Sequence, residues 1–433
     1  MSKFEHTSVA GVNLEVNKKL GYYLVNNEIY YNKFQAIVDA SKTNSEVNWY
    51  FNEKIFMKYP WHVEPETSLQ ELYRMRAQQL RDTYDYIRLE ASGGSDSTTV
   101  AYSFLLNGIH LDEIVFRYPK QGEKGLSNNS FSVNSENTLS EWDFAAKPLL
   151  NWVSENFPKV KITIHDYSNE LLEEQDSLDE SWVFKSKHFL QPSYIAKHTN
   201  TGLIDHRRTA DTGLKIAVVY GIDKPKICLK DNKFFLYFVD YFVNHNNADA
   251  GDYDITNECF YWTPDMPELI AKQAHIVKSW FSMPQNYSFQ SVIRYPNDTF
   301  AYRNMYERLV KTIIYPDYDP NTFQTIKPTN NIYNEMDHWI HTNFNNTKFY
   351  RAWEAGIDYL LEKIDNKFLN PNSVPHQNNI KQRRDVISFS SLFYCLGDSS
   401  IPETLLPRVS NSLSTTSNKK IHKHMIDGKL VIY

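Results

Sequence analysis

Cysteine is scarce in this sequence, and no long stretch of the chain is continuously apolar. The three cysteines among 433 residues, Cys228, Cys259 and Cys395, lie too far apart to indicate a disulfide framework. The longest apolar runs, such as residues 216–222, fall well short of the roughly 20 residues that a membrane-spanning helix needs. The first 19 residues lack the apolar core of a secretory signal. We therefore expect a cytoplasmic protein with no membrane partner.

A strong excess of one charge is also absent. The chain has 46 Lys and Arg against 52 Asp and Glu, which gives a net charge of −6. A nucleic acid would therefore have to bind local basic patches, such as residues 206–208 or 381–384. Apolar residues (41%) and charged residues (23%) are close to ordinary globular usage, so the composition indicates a folded protein.

The length suggests two or three domains, and local patterns divide the chain into four predicted parts. These parts are residues 1–80, 81–245, 246–409 and 410–433. We expect the first to be a hairpin and helical unit, with a turn at Asn26-Asn27, and the second to be an α/β domain. The third is predicted to be helical, with a candidate acceptor or partner site. The last is predicted to be a polar linker that ends in a hairpin turning at Asp427-Gly428.

Strand and helix patterns alternate in the second part. The predicted strands are residues 86–91, 113–118 and 160–166. The predicted helices are residues 97–106, 138–156 and, as a buried helix, 213–220. Two further strands are predicted within residues 226–239, around Asp231-Asn232. The alternation predicts an α/β fold with a doubly wound, mainly parallel sheet.

Glycine is scarce as well, and this makes the pair Gly93-Gly94 informative. Only 14 of the 433 residues are glycine, about 3% against a usual value near 7%. The pair lies in the segment SGGSDST, residues 92–98, between a predicted strand and a predicted helix. Backbone N–H groups and a helix N-terminus converge on an anion at such a junction. We therefore predict a phosphate-binding loop.

The residue types of this loop suit a nucleotide with its metal. The glycines permit close backbone approach, Ser92 and Ser97 can donate hydroxyl hydrogen bonds, and Asp96 offers a hard oxygen ligand for Mg²⁺. Neither the Walker A pattern nor the dinucleotide-binding glycine pattern is present in the chain. The two commonest phosphate-binding motifs are thus excluded.

The segment SGGSDST after a strand resembles the motif of the PP-loop ATP pyrophosphatases, the adenine nucleotide α-hydrolase-like superfamily. Within that superfamily it is similar to 7-cyano-7-deazaguanine synthases and phosphoadenosine phosphosulfate reductases, and the resemblance extends over residues 81–240. It implies a Rossmann-like sheet whose loop holds the β- and γ-phosphates of ATP with Mg²⁺. The next strand end would receive adenine. The cofactor-binding residues that the resemblance implies are Ser92, Gly93, Gly94, Ser95, Ser97, Thr98, Phe116 and Arg117.

Phosphoryl-type chemistry also needs cations near the loop. Lys224 follows an apolar segment at a tight turn, from which an ammonium can reach phosphate. Arg207 lies upstream, and family members bring a late basic residue to the pyrophosphate. We predict catalytic roles for Asp96, Lys224 and Arg207, with a plain surface position as the alternative for the two cations.

Two segments are candidates for the acceptor site. Asn134, Glu136, Glu141 and Trp142, within residues 134–142, follow the second strand of the predicted sheet. The alternative is that Glu141 and Trp142 only start a helix. Residues 258–265 combine three aromatic side chains with two carboxylates. They form either a substrate lid or aromatic packing between domains.

The resemblance implies transfer of AMP to an acceptor oxygen with release of pyrophosphate. Branches that use sulfur need a C-terminal thiol motif, a four-cysteine zinc site or paired cysteines, which this sequence does not have. We therefore expect a ligase or amidotransferase-like enzyme that activates a small-molecule acceptor for ammonia or an amine. A nucleic-acid acceptor and a homo-oligomer stay open. The alternatives are a phosphoadenosine phosphosulfate reductase-like protein of sulfur metabolism and a non-catalytic nucleotide-binding module.

Overall fold

The structure is a computed structural model that describes most of the chain. The described residues are 6–9, 12–16, 18–118, 120, 142–166, 183, 213–240, 248–250, 255–294, 306–315, 335–369, 386–399, 423–426 and 429–432. Within these ranges the molecule is mixed α/β, with four sheets and ten α-helices.

The strands come first. They are β1 (His6–Val9), β2 (Val12–Val16), β3 (Tyr22–Val25), β4 (Glu28–Tyr30), β5 (Asn48–Tyr50), β6 (Tyr86–Glu90), β7 (Glu113–Tyr118), β8 (Lys161–Asp166), β9 (Ile216–Tyr220), β10 (Lys226–Lys230), β11 (Lys233–Tyr237), β12 (Ala248–Ala250), β13 (Ile255–Cys259), β14 (Phe393–Asp398), β15 (Lys423–Ile426) and β16 (Lys429–Ile432).

The helices complete the fold. They are α1 (Lys33–Thr43), α2 (Glu53–Phe56), α3 (Leu69–Thr83), α4 (Ser95–Leu105), α5 (Lys147–Asn156), α6 (Pro267–Phe281), α7 (Ser291–Arg294), α8 (Glu307–Ile314), α9 (Glu335–Phe344) and α10 (Lys348–Lys363).

A five-stranded, all-parallel sheet lies at the centre, in the order β13-β9-β6-β7-β8. The predicted parallel sheet is thus confirmed, and β6, β7 and β8 lie within a residue of their predicted bounds. One face carries Ile87, Leu89 and Val219, which belong to the main hydrophobic core together with α3 and α4. Since parallel strands align their carboxyl ends, the segments after β6, β9 and β13 meet at one edge.

Two expectations about this sheet were wrong. Residues 213–220 do not form a buried helix, because Ile216–Tyr220 is the strand β9 between β6 and β13. The run IAVVY is short and rich in β-branched side chains, which favours a buried parallel strand over a helix. Strand β13 also falls in the part predicted to be helical, yet it pairs with β9 from Ile255 to Cys259. The predicted domain boundaries themselves stay a prediction.

The predicted hairpins are confirmed. Asn26-Asn27 joins β3 to β4 and Asp231-Asn232 joins β10 to β11, with all four turn residues at positive φ, as in the tight turns that match strand twist. Strands β15 and β16 also pair antiparallel, in a second five-stranded sheet of order β10-β11-β14-β15-β16. None of the helices in the described ranges is long and apolar enough to span a membrane.

Candidate functional site

The loop between β6 and α4 forms the predicted junction. Gly94 is the N-cap residue of α4, and no side chain of the described residues caps the start of this helix. Gly93 has φ +69°, and a Cβ placed there would lie 2.3 Å from the backbone nitrogen of Ala146. The α4 N-terminus therefore keeps its backbone N–H groups without side-chain caps, on a loop that requires glycine at residue 93.

Two hydroxyl groups hold the loop in shape. The Ser92 backbone N–H donates to Ser97 Oγ at 3.2 Å, and this hydroxyl donates to the Gly94 carbonyl at 3.2 Å. The Thr98 hydroxyl donates to the Gly93 carbonyl at 3.3 Å. Ser97 and Thr98 thus form hydrogen bonds inside the loop in this structure.

Ser95 differs from these neighbours. Ser95 is only 2% exposed, and its hydroxyl has no hydrogen-bond partner among the described residues. An unpaired buried hydroxyl costs about 1–3 kcal/mol unless a ligand satisfies it. It lies in the first turn of α4, where the helix dipole favours an anion.

Lys224 meets Asp96 at this helix start. Its ammonium donates to Asp96 Oδ1 at 2.9 Å and Oδ2 at 3.0 Å, and to Asp223 Oδ1 at 2.8 Å. Burial alone would raise the pKa of Asp96, but the positive charges of Lys224 and Lys311 outweigh it and hold that pKa below its usual value. Burial would likewise lower the pKa of Lys224, yet Asp223 and Asp96 raise it well above its usual range. Lysine and carboxylate are therefore both charged at neutral pH.

The charges continue in alternation beyond this pair. Lys226 contacts Asp223 Oδ2 at 2.9 Å and Glu307 Oε1 at 2.9 Å. Burial disfavours the charged form of Asp223, but Lys224 and Lys226 dominate and lower its pKa. A row of five side chains with alternating charge therefore joins the loop after β9 to helix α8, in the order Asp96, Lys224, Asp223, Lys226 and Glu307.

Backbone contacts bring these segments together. A Cβ at Gly221 would lie 2.9 Å from the Ser97 nitrogen, so the chain after β9 passes directly against the start of α4. The Tyr261 and Trp262 N–H groups donate to the Ile222 carbonyl at 3.1 Å, which fastens the segment after β13 to the same loop. The Tyr261 hydroxyl donates to the Asp96 carbonyl at 2.8 Å. Three strand ends of the sheet thus surround Asp96.

Arg117 and Phe116, on strand β7, contact other side chains of the sheet and its neighbours. The Arg117 guanidinium donates to both Glu90 oxygens at 3.0 Å, and it lies 3.3 Å from His165 Nδ1. Phe116 is buried in the core, with its ring centroid 5.4 Å from that of Trp142. Both residues are buried and pack against neighbouring side chains, and their adenine-binding role stays a prediction.

The other candidates have mixed positions. Trp142 stacks on Tyr118, with ring centroids 4.9 Å apart. In the segment 258–265, Trp262 packs against Phe51 and Phe238, and this agrees with the aromatic-packing interpretation. Arg207, the remaining part of residues 134–142 and the basic patches at 206–208 and 381–384 lie outside the described residues.

Sequence reasoning missed Asp223, Tyr261 and Tyr315 as neighbours of Asp96. The Tyr315 hydroxyl donates to Asp96 Oδ1 although 219 positions separate the two residues. Asp223 was detectable, since it directly precedes Lys224, and an acidic residue next to a predicted catalytic lysine is a candidate charge partner. Tyr261 lies in the candidate segment 258–265, but its contact with Asp96 was not predicted. No local pattern marks Tyr315.

The site fits a magnesium nucleotide chemically. An uncapped helix start and the unpaired Ser95 hydroxyl suit phosphate oxygens, and Asp96 is a carboxylate oxygen donor. Among the described residues, no three His, Cys, Asp or Glu side chains form a cluster able to hold a metal ion. A single carboxylate suffices for Mg²⁺ when phosphates supply further oxygens.

The three cysteines are free and buried. Burial raises the pKa values of the Cys228 and Cys259 thiols far above neutrality, so neither is a thiolate at neutral pH.

In comparisons with known proteins, no family model matches this chain and no curated protein matches it significantly.

Proposed function

We propose that this protein is an ATP-dependent adenylating enzyme of the PP-loop pyrophosphatase class. The observation that carries the proposal is the unpaired, buried Ser95 hydroxyl at the uncapped start of α4, next to Asp96 and Lys224. A helix start of this kind, with an adjacent ammonium and carboxylate, suits the terminal phosphates of a nucleotide together with Mg²⁺.

Each residue has a role in this proposal. Ser95 and the backbone N–H groups of α4 bind the β- and γ-phosphates, and Asp96 holds Mg²⁺, which neutralises phosphate charge when bound. Lys224, fixed by Asp223, stabilises the negative charge that develops on the departing pyrophosphate. Because the terminal phosphates are held as the leaving group, the α-phosphorus is left for attack.

In the reaction, an acceptor oxygen forms a bond to the α-phosphorus, and the bond from that phosphorus to the bridging oxygen breaks. Pyrophosphate leaves with the electron pair, and AMP stays on the acceptor. Ammonia or an amine then displaces AMP, so the overall class is a ligase. The buried thiols with raised pKa values favour nitrogen over sulfur as the second nucleophile.

The first test is binding, with Ser95→Ala as the variant. Loss of a hydroxyl donor to phosphate should weaken ATP binding about 10-fold or more, while the free energy of unfolding stays equal or rises, because an unpaired buried group is removed. The control is Ser103→Ala in the same helix, since that buried hydroxyl already donates to the Thr99 carbonyl at 2.6 Å. It should lower stability and leave ATP affinity unchanged.

Titration calorimetry with MgATP and thermal unfolding measure the two quantities. Equal ATP affinity in Ser95→Ala and wild type would contradict the proposal that this loop binds ATP. Chromatography of labelled nucleotide, after incubation with candidate acceptors and ammonia, then identifies the bond that breaks. AMP as product supports the proposal, ADP alone contradicts it, and binding without turnover favours a non-catalytic module.

A further inference from the structure

Asp96 has an asymmetric set of partners. Lys224 contacts both carboxylate oxygens, at 2.9 and 3.0 Å, whereas the Tyr315 hydroxyl donates to Oδ1 alone. Among the described residues, Oδ1 therefore has two donors and Oδ2 has one. The side chain keeps 22% of its surface exposed although both donor residues are buried.

Tyr315 is firmly placed for this contact. It follows the last residue of α8, its N–H donates to the Lys311 carbonyl at 3.1 Å, and its ring lies 5.9 Å from that of Tyr261. The preceding Ile314 carbonyl accepts a hydrogen bond from the Tyr73 hydroxyl at 2.9 Å. Backbone and ring are thus both held, so little rotamer freedom is lost when the hydroxyl binds.

Helix α8 is itself attached to the loop that carries Lys224. The Tyr306 hydroxyl donates to the Pro225 carbonyl at 2.6 Å, and Glu307 pairs with Lys226. One helix therefore contacts the Lys224 loop through its first turn and Asp96 through the residue after its last turn. This arrangement sets the relative position of the two charged groups.

We propose that Tyr315 is a positioning residue that holds Asp96 Oδ1 and so presents Oδ2 to the divalent cation that accompanies the nucleotide. The inference rests on the proposed function, because it assigns Asp96 to the metal. A carboxylate anchored through one oxygen has fewer orientations to lose when the other oxygen binds a cation. Asp223 retains Lys224 when Oδ2 exchanges that ammonium for the cation.

The test separates metal affinity from nucleotide affinity, using Mn²⁺ as the probe and α,β-methylene-ATP as the nucleotide. Tyr315→Phe keeps the ring and removes only the hydroxyl. We expect Mn²⁺ affinity of the nucleotide complex, measured by electron paramagnetic resonance of free Mn²⁺, to fall about 10-fold. Nucleotide affinity in EDTA, measured by calorimetry, should stay at the wild-type value. A general loosening of the site would instead lower nucleotide affinity without metal as well.

The matched control is Tyr23→Phe, which removes another buried tyrosine hydroxyl that donates to a carboxylate, Asp240 Oδ2 at 3.0 Å, and does not touch Asp96 or the Lys224 loop. It should lower the unfolding temperature at least as much as Tyr315→Phe and leave Mn²⁺ affinity unchanged. Asp96→Asn should abolish the metal-dependent gain in nucleotide affinity.

The outcomes distinguish the inference from the function. Wild-type Mn²⁺ affinity in Tyr315→Phe, together with its loss in Asp96→Asn, overturns the positioning role and leaves the ATP function standing. Equal losses of nucleotide affinity with and without metal also overturn it, since the role would then be structural. Absence of nucleotide binding in the wild-type protein, or full Mn²⁺ affinity in Asp96→Asn, overturns the proposed function and the inference with it.

Discussion

At the scale of single residues, Glu90 shows how the sheet tolerates buried charge. It is the last residue of β6, and it binds two guanidinium groups, those of Arg88 and Arg117. Burial alone would raise the pKa of Glu90, but Arg117 and Arg88 outweigh burial and lower it to about 2. Both arginines are nearly fully buried, so the carboxylate compensates charges that water cannot reach.

This pKa predicts a specific pH dependence of stability. A lowered carboxyl pKa contributes stability that is complete above the unfolded-state value, near 4.5, and is lost as pH falls through the folded value near 2. The contribution is about 3 kcal/mol. Glu90→Gln should therefore lose about this much at pH 7 and differ progressively less from wild type toward pH 2, in urea unfolding at each pH.

An exposed carboxylate supplies the control for this measurement. Glu71 pairs with Arg74 on the surface of α3, where solvent screens the interaction. Glu71→Gln should change the acid limb of the stability curve much less than Glu90→Gln. Equal pH profiles for the two variants would contradict the importance assigned to the buried cluster.

At the scale of elements, two glycines flank helix α4, and the one before its start is more constrained than the one after its end. Gly93 and Gly108 both have φ +69°. A Cβ at Gly93 would lie 2.3 Å from the Ala146 backbone, whereas a Cβ at Gly108 would meet nothing within 4 Å. The first glycine is thus required by conformation and by space, and the second by conformation alone.

The two glycines form a matched pair of substitutions. Gly108→Ala should cost only the left-handed penalty of about 1–2 kcal/mol in the free energy of unfolding. Gly93→Ala must in addition displace the backbone at residues 145–146, so we expect at least twice that loss and weaker MgATP binding. Thermal unfolding and calorimetry would test this, and similar losses in both variants would argue against the close packing of the loop on that turn.

At the scale of the whole molecule, the first 80 residues are bonded to distant parts of the chain. Lys33 of α1 forms a buried ion pair with Asp240 at 2.9 Å. Asp240 also accepts hydrogen bonds from the Tyr23 hydroxyl at 3.0 Å and the Phe389 N–H at 2.9 Å. One buried carboxylate therefore connects the N-terminal unit to the segment after β11 and to residues just before β14.

Loss of one partner of this pair should destabilise the protein strongly. Lys33→Met leaves the Asp240 charge buried with only neutral donors among the described residues, and we expect a loss of about 3–5 kcal/mol in urea unfolding. Adding Asp240→Asn to Lys33→Met should recover part of this loss, because the unpaired charge is removed. If the double variant is as unstable as the sum of both single variants, the ion pair is not the source of the effect.

Local features that short-range physics controls could be predicted from the sequence. Several elements depend only on apolar runs and turn residues a few positions apart. They are the strands β6, β7 and β8, the turns at Asn26-Asn27 and Asp231-Asn232, and the loop before α4. The parallel arrangement followed from the alternation of strand and helix. Residues 216–220 were misassigned because a short buried apolar run suits either a helix or a parallel strand until its neighbours are known.

The side chains that surround the loop come together only in the folded chain. Tyr315 and Asp96 are 219 positions apart, and Arg117 faces Glu90 because neighbouring parallel strands place them on the same face of the sheet. Strand β13 joined the sheet through pairing with β9 and not through its own pattern. Such contacts depend on the order of strands and the path of helix α8, and nothing within a local window of sequence encodes that order.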